Sequence, residues 1–380
     1  MERKIMGIKV AIVGLGKIGF EYGLDELRVQ PSSHAECFAS LSEIDKIAMC
    51  DVDVNKLEKA RLLYYIAQEA LMEPKYLFYT DYHEMTRDFQ PDIVSIATPT
   101  STHKQIACDV AANPCVKTIF LEKPIAQSIQ DAQYIINKCE NNGIQLVVNY
   151  TRRWSTIYNR VSGQLRGGMG KMILMVGHHH GPLLRTGTHM LDLFDLLANS
   201  PVEDVQAFGE PRKNYLPANV GGFDDLNING IINFKNGIEA ILISGEQKPY
   251  LLFELDIFGE KGRIQILQNG ILVKTYQSMP SLRYDGINEL MESASYFDRE
   301  DNPLLTAIKE VVAIADSETW IRERERAKDK TIYAHCRPAC NGGDALKTLQ
   351  TALALHYSAM NNHRVIHPED VPKDYEVKTY

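Results

Sequence analysis

Residues 8–19 read IKVAIVGLGKIG, and the fold turns on how this stretch is read. Ile8 to Val13 is rich in β-branched side chains and shows no polar alternation, the pattern of a strand buried on both faces. It runs straight into Gly14, Gly16 and Gly19, spaced G-x-G-x-x-G, with a helical stretch after them. Between a strand and a helix, that spacing has a mechanical reading. Gly14 permits a tight turn, Gly16 lets the backbone approach a pyrophosphate, and Gly19 lets the helix pack on the strand. The first N–H groups of the helix, around Lys17 and Ile18, then face the phosphate charge. Basic residues before an apolar run also resemble a secretory leader, but Gly14 and Gly16 break the run, and a first β-strand fits better.

The next test is an acidic residue at the end of the second strand. Lys46 to Cys50 reads as that strand, and Asp51 follows, placed to accept hydrogen bonds from adenine ribose hydroxyls. A carboxylate there repels a 2′-phosphate, so NAD is favoured over NADP; Lys56 and Lys59 weaken that preference. The spacing from Gly19 to Asp51 is long, which calls for a loop inserted around Gly23 to Pro31 before the helix resumes near Ser33. Strand and helix patterns then alternate. The strand Asp92 to Ala97 ends at Thr98-Pro99, a helix starts at His103, the strand Thr118 to Leu121 ends in Glu122-Lys123-Pro124, and a last strand covers Ile144 to Asn149. Such alternation predicts a parallel sheet with right-handed crossovers, and with it Gly14, Asp51, Thr98 and Glu122 on one edge.

After residue 150 the texture changes. From Val205 to Val273, alternating segments such as LNINGIINF, IEAILIS and GRIQIL follow one another with short turns, the signature of antiparallel pairing. Helices over Leu304 to Asp316 and Asp344 to Asn361 close the chain. The expectation is α/β: an N-terminal Rossmann domain over residues 1–150 and a C-terminal α+β domain over 151–380 with a large, mostly antiparallel open sheet.

Composition excludes some classes. The formal net charge of −8 argues against a nucleic-acid binder. No apolar run reaches the roughly 20 residues of a membrane span. The seven cysteines are scattered with no C-x-x-C, which points to reduced thiols and a cytoplasmic setting. His335, Cys336 and Cys340 lie near one another without a completing ligand, so no metal is expected. The sign-alternating run Arg322 to Lys330 reads as a solvated helix face.

Taken in order, VAIVGLGKIG, CDVD, SIATPTSTH, LEKP and GTHMLDLF resemble the glucose–fructose oxidoreductase/inositol dehydrogenase (Gfo/Idh/MocA) family over about the whole chain. The resemblance implies an NAD(P)-dependent oxidoreductase acting on a sugar hydroxyl. It places Gly14, Gly16, Lys17, Ile18, Gly19, Asp51, Thr98, Pro99, His103, Glu122 and Lys123 around the cofactor. It assigns Lys123 to the active site beside the nicotinamide, with Pro124 at a position that is often cis. His189 becomes the general acid–base, with Asp192 one turn later on the same helix face, either orienting it or packing at the helix start. Polar substrate contacts fall near Arg152, Arg153 and Trp154, a Trp being able to stack on a sugar or base; the alternative is a hinge ion pair and a core Trp. Where many relatives carry an Asp four residues before the His, this chain has Arg185, a guanidinium fork suited to carboxylate or phosphate.

Three functional readings follow. One is an NAD-linked dehydrogenase of a nucleotide-activated or acidic sugar. The second is a dehydrogenase of a free polyol or cyclitol, with the arginines structural. The third is a catalytically silent NAD-binding regulatory protein. In His178-His179-His180, alternate residues share a strand face, so His178 and His180 are expected to point together, as substrate contacts or as a solvated strand end. The surplus of strand in the second half, with the resemblance, predicts a homodimer or homotetramer joined through an open sheet face.

Overall fold

β1 (Ile8–Val13) lies between two parallel neighbours, β2 (Ile44–Cys50) and β4 (Ile93–Ile96). With β3 (Tyr76–Tyr79), β5 (Thr118–Leu121) and β6 (Gln145–Val148), the six-stranded sheet runs β3–β2–β1–β4–β5–β6, every pair parallel. The computed structural model describes residues 7–68, 75–165, 169–213, 225–244, 250–316 and 338–379. The charged run 322–330 and the pair His335 and Cys336 lie outside the described residues.

Strand order reverses between β1 and β4, and ligands of open α/β sheets bind beyond the carboxyl ends of the strands at such a switch point. The register shows what stands there. Val13 is level with Cys50 and Ile96, Ile96 with Leu121, and Leu121 with Val148. The residues that follow, Gly14, Asp51, Ala97, Glu122 and Asn149, therefore line one edge, as the strand pattern predicts.

From Gly16 the chain makes one helical turn and a short 3-10 segment (Glu21–Leu24), then loops out. α1 (His34–Ala39) starts where the sequence places it, capped by the Ser33 hydroxyl on the Glu36 N–H. The His34 and Ala35 N–H groups donate to the Ile18 and Gly19 carbonyls at 2.9 and 3.0 Å. The helix thus resumes in register across an insertion, which accounts for the long spacing to Asp51. α2 (Val54–Gln68), α3 (Tyr82–Phe89), α4 (His103–Val110) and α5 (Ile129–Asn141) supply the crossovers.

The chain forms two compact units, and their boundary differs from the expected 1–150 and 151–380. The first unit holds Met1–Ala126, Asp131–Trp154 and also Asn302–Ala345. α8 (Pro303–Asp316) returns to it because Leu304, Ala307, Ile308, Val311 and Val312 form one buried stripe, packed on α1, β4 and β5. A stripe of that kind shows that a helix is covered but not by what.

The second unit is built on an eight-stranded sheet, ordered β14–β13–β12–β11–β7–β10–β9–β8. Its strands are β7 (Met172–His179), β8 (Val202–Lys213), β9 (Leu226–Phe234), β10 (Glu239–Ser244), β11 (Glu254–Gly259), β12 (Gly262–Leu267), β13 (Leu272–Pro280) and β14 (Asn288–Phe297). All pairs are antiparallel except β7 with β10. α6 (Thr156–Leu165) belongs to this unit. α7 (Thr188–Ala198) lies close on β7: a Cβ on Gly177 would come within 2.6 Å of Met190 and 2.7 Å of Phe194. α9 (Gly342–Met360) approaches β9 in the same way, Leu355 against Gly230. The opposite sheet face, with Val176, Ile231, Ile241, Ile243 and Phe258, is half-exposed. β13 and β14 extend the sheet beyond Val273, where the sequence reading stops. β14 has no buried residue, so it lacks the alternation that marks a half-buried strand.

Candidate active site

The glycine loop fits a dinucleotide. Gly14 has φ +96°, and a Cβ there would press to 2.7 Å from the Ala97 carbonyl. A Cβ on Gly19 would sit 2.0 Å from the Gly14 carbonyl oxygen, so any side chain would force the turn open. Around Gly16 nothing lies within 4 Å, which leaves room for a pyrophosphate against the backbone. Lys17 is exposed and Ile18 half-buried beside that space. Asp51 has two tasks. Its Oδ2 accepts the Leu15 N–H at 2.7 Å and so shapes the loop, while Oδ1 accepts the Asp53 N–H at 2.9 Å, a short local turn. Each carboxylate oxygen has a second lone pair for a ribose hydroxyl. Lys56 Nζ stands 4.0 Å from Oδ2.

On the neighbouring rim, Thr98 is half-buried and Pro99 exposed, with the Thr102 hydroxyl donating to Thr98 Oγ1 at 2.8 Å. His103 is buried, its Nδ1 3.0 Å from the Pro124 carbonyl and its Nε2 3.0 Å from the Thr98 carbonyl. Both ring nitrogens face backbone, so His103 ties two rim segments together rather than presenting its ring to a cofactor. Burial lowers its pKa, against the opposing pull of those carbonyls and Glu122.

Lys123 is half-buried, one residue beyond a rim position, and the Lys123–Pro124 peptide is cis. Glu122 turns into a buried network. Its Oε1 receives Asn149 Nδ2 at 2.5 Å and His34 Nε2 at 3.0 Å, and His34 Nδ1 meets Ser95 Oγ at 2.6 Å. Burial alone would raise the Glu122 pKa. The His34 hydrogen bond and charge, then Lys123 and Asn149, bring it below the usual value. A carboxylate held down in this way contributes stability above its unfolded pKa and loses it as pH falls through the folded one. Glu122, expected at the cofactor, also ties this edge together through His34 and Asn149. Sequence reasoning missed His34, Ser95 and Asn149. Of the three, only Asn149 carried a signal, as the last residue of the strand IQLVVN.

In the second unit, Leu183–Gly187 forms a π-type turn leading into α7. The buried Asp225 carboxylate clamps it, accepting the Leu184 and Arg185 N–H groups at 2.9 Å each. Arg185 is exposed on this turn, and His189 is half-buried at the second residue of α7. Asp192 is buried and accepts from the Thr348 hydroxyl at 3.2 Å, a packing role. The histidine run alternates as strands require, but the face packed by α7 takes His179, not His178 and His180. His179 lies under the turn, where a Cβ on Gly187 would come to 3.0 Å from its ring. Burial, then the charges of His180 and His178, lower its pKa to about 3, so it stays neutral.

The residues expected to touch substrate after the last parallel strand divide. Arg152 is half-buried. Arg153 is buried, donating to the Ala339 carbonyl at 3.2 Å with Asp344 at 3.8 Å. Trp154 is in the core, its indole N–H on Glu310, which leaves no ring face for a sugar. Arg153 and Trp154 hold the returning C-terminal segment. Both partners are remote in sequence, so local pattern gave no sign of them. Among the described residues no three His, Cys, Asp or Glu side chains are grouped to hold a metal ion, and no helix is long and apolar enough to cross a membrane.

Comparison with known proteins agrees with this geometry. Residues 8–150 match the family model for an oxidoreductase family with an NAD-binding Rossmann fold, and residues 175–265 match that of the GFO/IDH/MocA C-terminal domain. An inositol 2-dehydrogenase of Salmonella paratyphi B is 26% identical over 225 residues, 56% of this chain and 60% of that protein's length. Among solved structures, the WlbA dehydrogenase of Bordetella pertussis, in complex with NADH and UDP-GlcNAcA, superposes with a TM-score of 0.68 at 18% identity, covering 97% of this chain and 100% of that one. A super-repressor mutant of Gal80p from Saccharomyces cerevisiae reaches 0.72 at 14% identity, covering 98% and 100%. At such identities the solved structures show a shared fold.

Proposed function

The chain belongs to the Gfo/Idh/MocA oxidoreductase family, and from that premise we propose that it is an NAD-dependent dehydrogenase acting on a secondary hydroxyl or ketone of a sugar, with a nucleotide-activated or acidic sugar favoured. The observation that carries this reading is Lys123, set between Glu122 and Pro124, both of which are held by buried histidines, at the carboxyl edge of a sheet whose glycine loop fits a dinucleotide. Bound NAD supplies a hydride acceptor at the nicotinamide. The chain's own residues handle the proton: His189 takes it from the hydroxyl, and the Lys123 ammonium stabilises the developing alkoxide. The preference for a charged sugar rests on Arg185, exposed on the turn before His189, and on Arg152. The UDP-GlcNAcA bound by WlbA carries both phosphate and carboxylate, which supports the same direction.

The similarity to an inositol dehydrogenase favours the second reading, a free polyol or cyclitol. Gal80p shows that the fold also serves repression, but this chain has both Lys123 and His189, which argues for turnover. A thermal-shift panel of UDP-sugars, sugar acids and free polyols with NADH present, followed by NAD reduction assays on the hits, decides among the three. Charged sugars stabilise and turn over under the first reading. Stabilisation by neutral polyols alone selects the second. Nicotinamide binding with no turnover of any sugar selects the third.

Asp51 sets a further expectation. Asp51→Ala weakens NAD binding by about 1–3 kcal/mol through lost charge-assisted hydrogen bonds to the ribose. Asp51→Asn, which keeps an acceptor for the Leu15 N–H, separates loss of charge from collapse of the loop. Titration calorimetry with NAD and NADP checks both, and tighter binding of NADP by the unaltered protein removes the assignment.

The half-exposed apolar face of the second sheet suits pairing with another copy, so a homodimer or homotetramer is expected. Light scattering that finds a 42.9 kDa particle at micromolar concentration overturns it.

A further inference from the structure

We propose that two buried histidines, His34 and His103, are positioning residues for Lys123, each holding the residue on one side of it. The inference rests on the reading of Lys123 as a group that touches the reacting hydroxyl. A lysine side chain is long and flexible, so where its ammonium works depends on how firmly its backbone is fixed. Lys123 lies past the end of β5, where ladder hydrogen bonds stop.

Other groups replace the ladder there. On the near side, the Glu122 N–H donates to the Ile96 carbonyl at 2.9 Å, and the Glu122 carboxylate is held by His34 and Asn149. An ionised carboxylate only accepts, so His34 Nε2 carries the hydrogen. Its Nδ1 faces the Ser95 hydroxyl, which pairs with either charge state of the ring because a hydroxyl donates and accepts. The ring is fully buried and lies against Phe120, which fixes its plane. Serine, histidine and carboxylate in a row resemble a hydrolytic triad, but Ser95 is fully buried inside β4, where no substrate reaches it. The row holds Glu122.

On the far side, Pro124 has no N–H, so its carbonyl is the one main-chain hydrogen-bonding group it offers, and His103 Nδ1 meets it at 3.0 Å. The other nitrogen of His103 faces the Thr98 carbonyl, which joins the lysine elbow to the opposite lip of the switch point. A neutral imidazole has one N–H for these two carbonyls. On Nδ1 that hydrogen is donated to the Pro124 carbonyl.

Amide substitutions test this, because Asn places its nitrogen near the Nδ1 position of histidine and Gln near the Nε2 position. His34 works through Nε2, so His34→Gln stays close to wild type while His34→Asn lowers kcat by about 10–100-fold, the cost of a misplaced catalytic group. His103 works through Nδ1, so the order reverses: His103→Asn is tolerated and His103→Gln loses kcat to the same degree. NAD still binds all four by calorimetry, because the glycine loop and Asp51 are untouched. Hydrogen–deuterium exchange of residues 118–130 in the NAD-free protein gives a readout apart from activity: exchange is faster in His34→Asn and His103→Gln only. If all four variants behave alike, or kcat simply follows melting temperature, the histidines are packing residues and the proposal is overturned. Lys123→Ala is the control. If it turns over normally, the functional reading fails, and the exchange data alone then decide whether the histidines hold the elbow.

Discussion

Lys123→Ala is expected to lower kcat by about 10²-fold or more, with NAD still bound, since general acid–base groups contribute roughly 10²–10⁴. The separation of effects follows from the architecture. The groups that fit the dinucleotide, Gly14, Gly16, Gly19 and Asp51, make their contacts on β1 and β2, while Lys123 stands beyond β5. Removing its ammonium leaves that cradle whole and takes away a charge that matters most when the substrate oxygen becomes alkoxide. An interaction stronger in the transition state than in the ground state appears in kcat, not in binding. His189→Ala is expected to cost a similar factor, because a general base is needed for the same proton. If the two act on one proton path, the double variant loses much less than the product of the single losses. Pre-steady-state hydride transfer and NAD titration on all three variants check this. Near-normal turnover in both single variants rejects the site.

The sheet edge was legible in sequence because each of its parts is local. Runs of β-branched residues mark the buried strands, glycines mark the turn, and a strand ending in a charged residue marks the rim. Even the insertion before α1 was readable, from a spacing too long between Gly19 and Asp51 and a serine placed to cap. What escaped depends on residues far apart in the chain. His34 and Glu122 are 88 positions apart, and Trp154 and Glu310 are 156, so no window of sequence contains either pair. Arg153 and Trp154 follow the last parallel strand and resemble substrate contacts for that reason. Their burial comes from contacts with Glu310, Ala339 and Asp344, which no local pattern reveals. The alternation of the histidine run was legible, since His178 and His180 share a face; which face α7 covers was not, because it depends on Gly177, whose missing side chain gives no hydrophobic signal.

Arg185→Met is expected to raise KM for a charged sugar by about 10–100-fold, equivalent to the roughly 1.5–3 kcal/mol of a hydrogen bond to a charged group. Exposure of Arg185 sets this range, since a fully desolvated pair would be worth more. The backbone beneath it is rigid: Asp225 takes the Leu184 and Arg185 N–H groups, so the side chain projects from a fixed base and not from a loose loop. Methionine keeps much of the length and apolar stem while removing the fork, and the Asp225 clamp on the main chain survives. Folding should therefore change little, and melting temperature serves as the check. A carboxylate or phosphate remote from the reacting carbon keeps its charge throughout the reaction, so its contact is equally good in ground and transition states. The loss then falls on KM, with kcat much less affected. Raising salt should weaken the unaltered protein's preference for charged sugars and leave the variant nearly indifferent, because an accessible ion pair is screened. A structural Arg185 gives another pattern: melting temperature drops, and charged and neutral sugars lose alike. An unchanged ratio of kcat/KM between charged and neutral sugars in Arg185→Met would show that the anionic group of the substrate is met elsewhere, and the favoured substrate class would shift to free polyols.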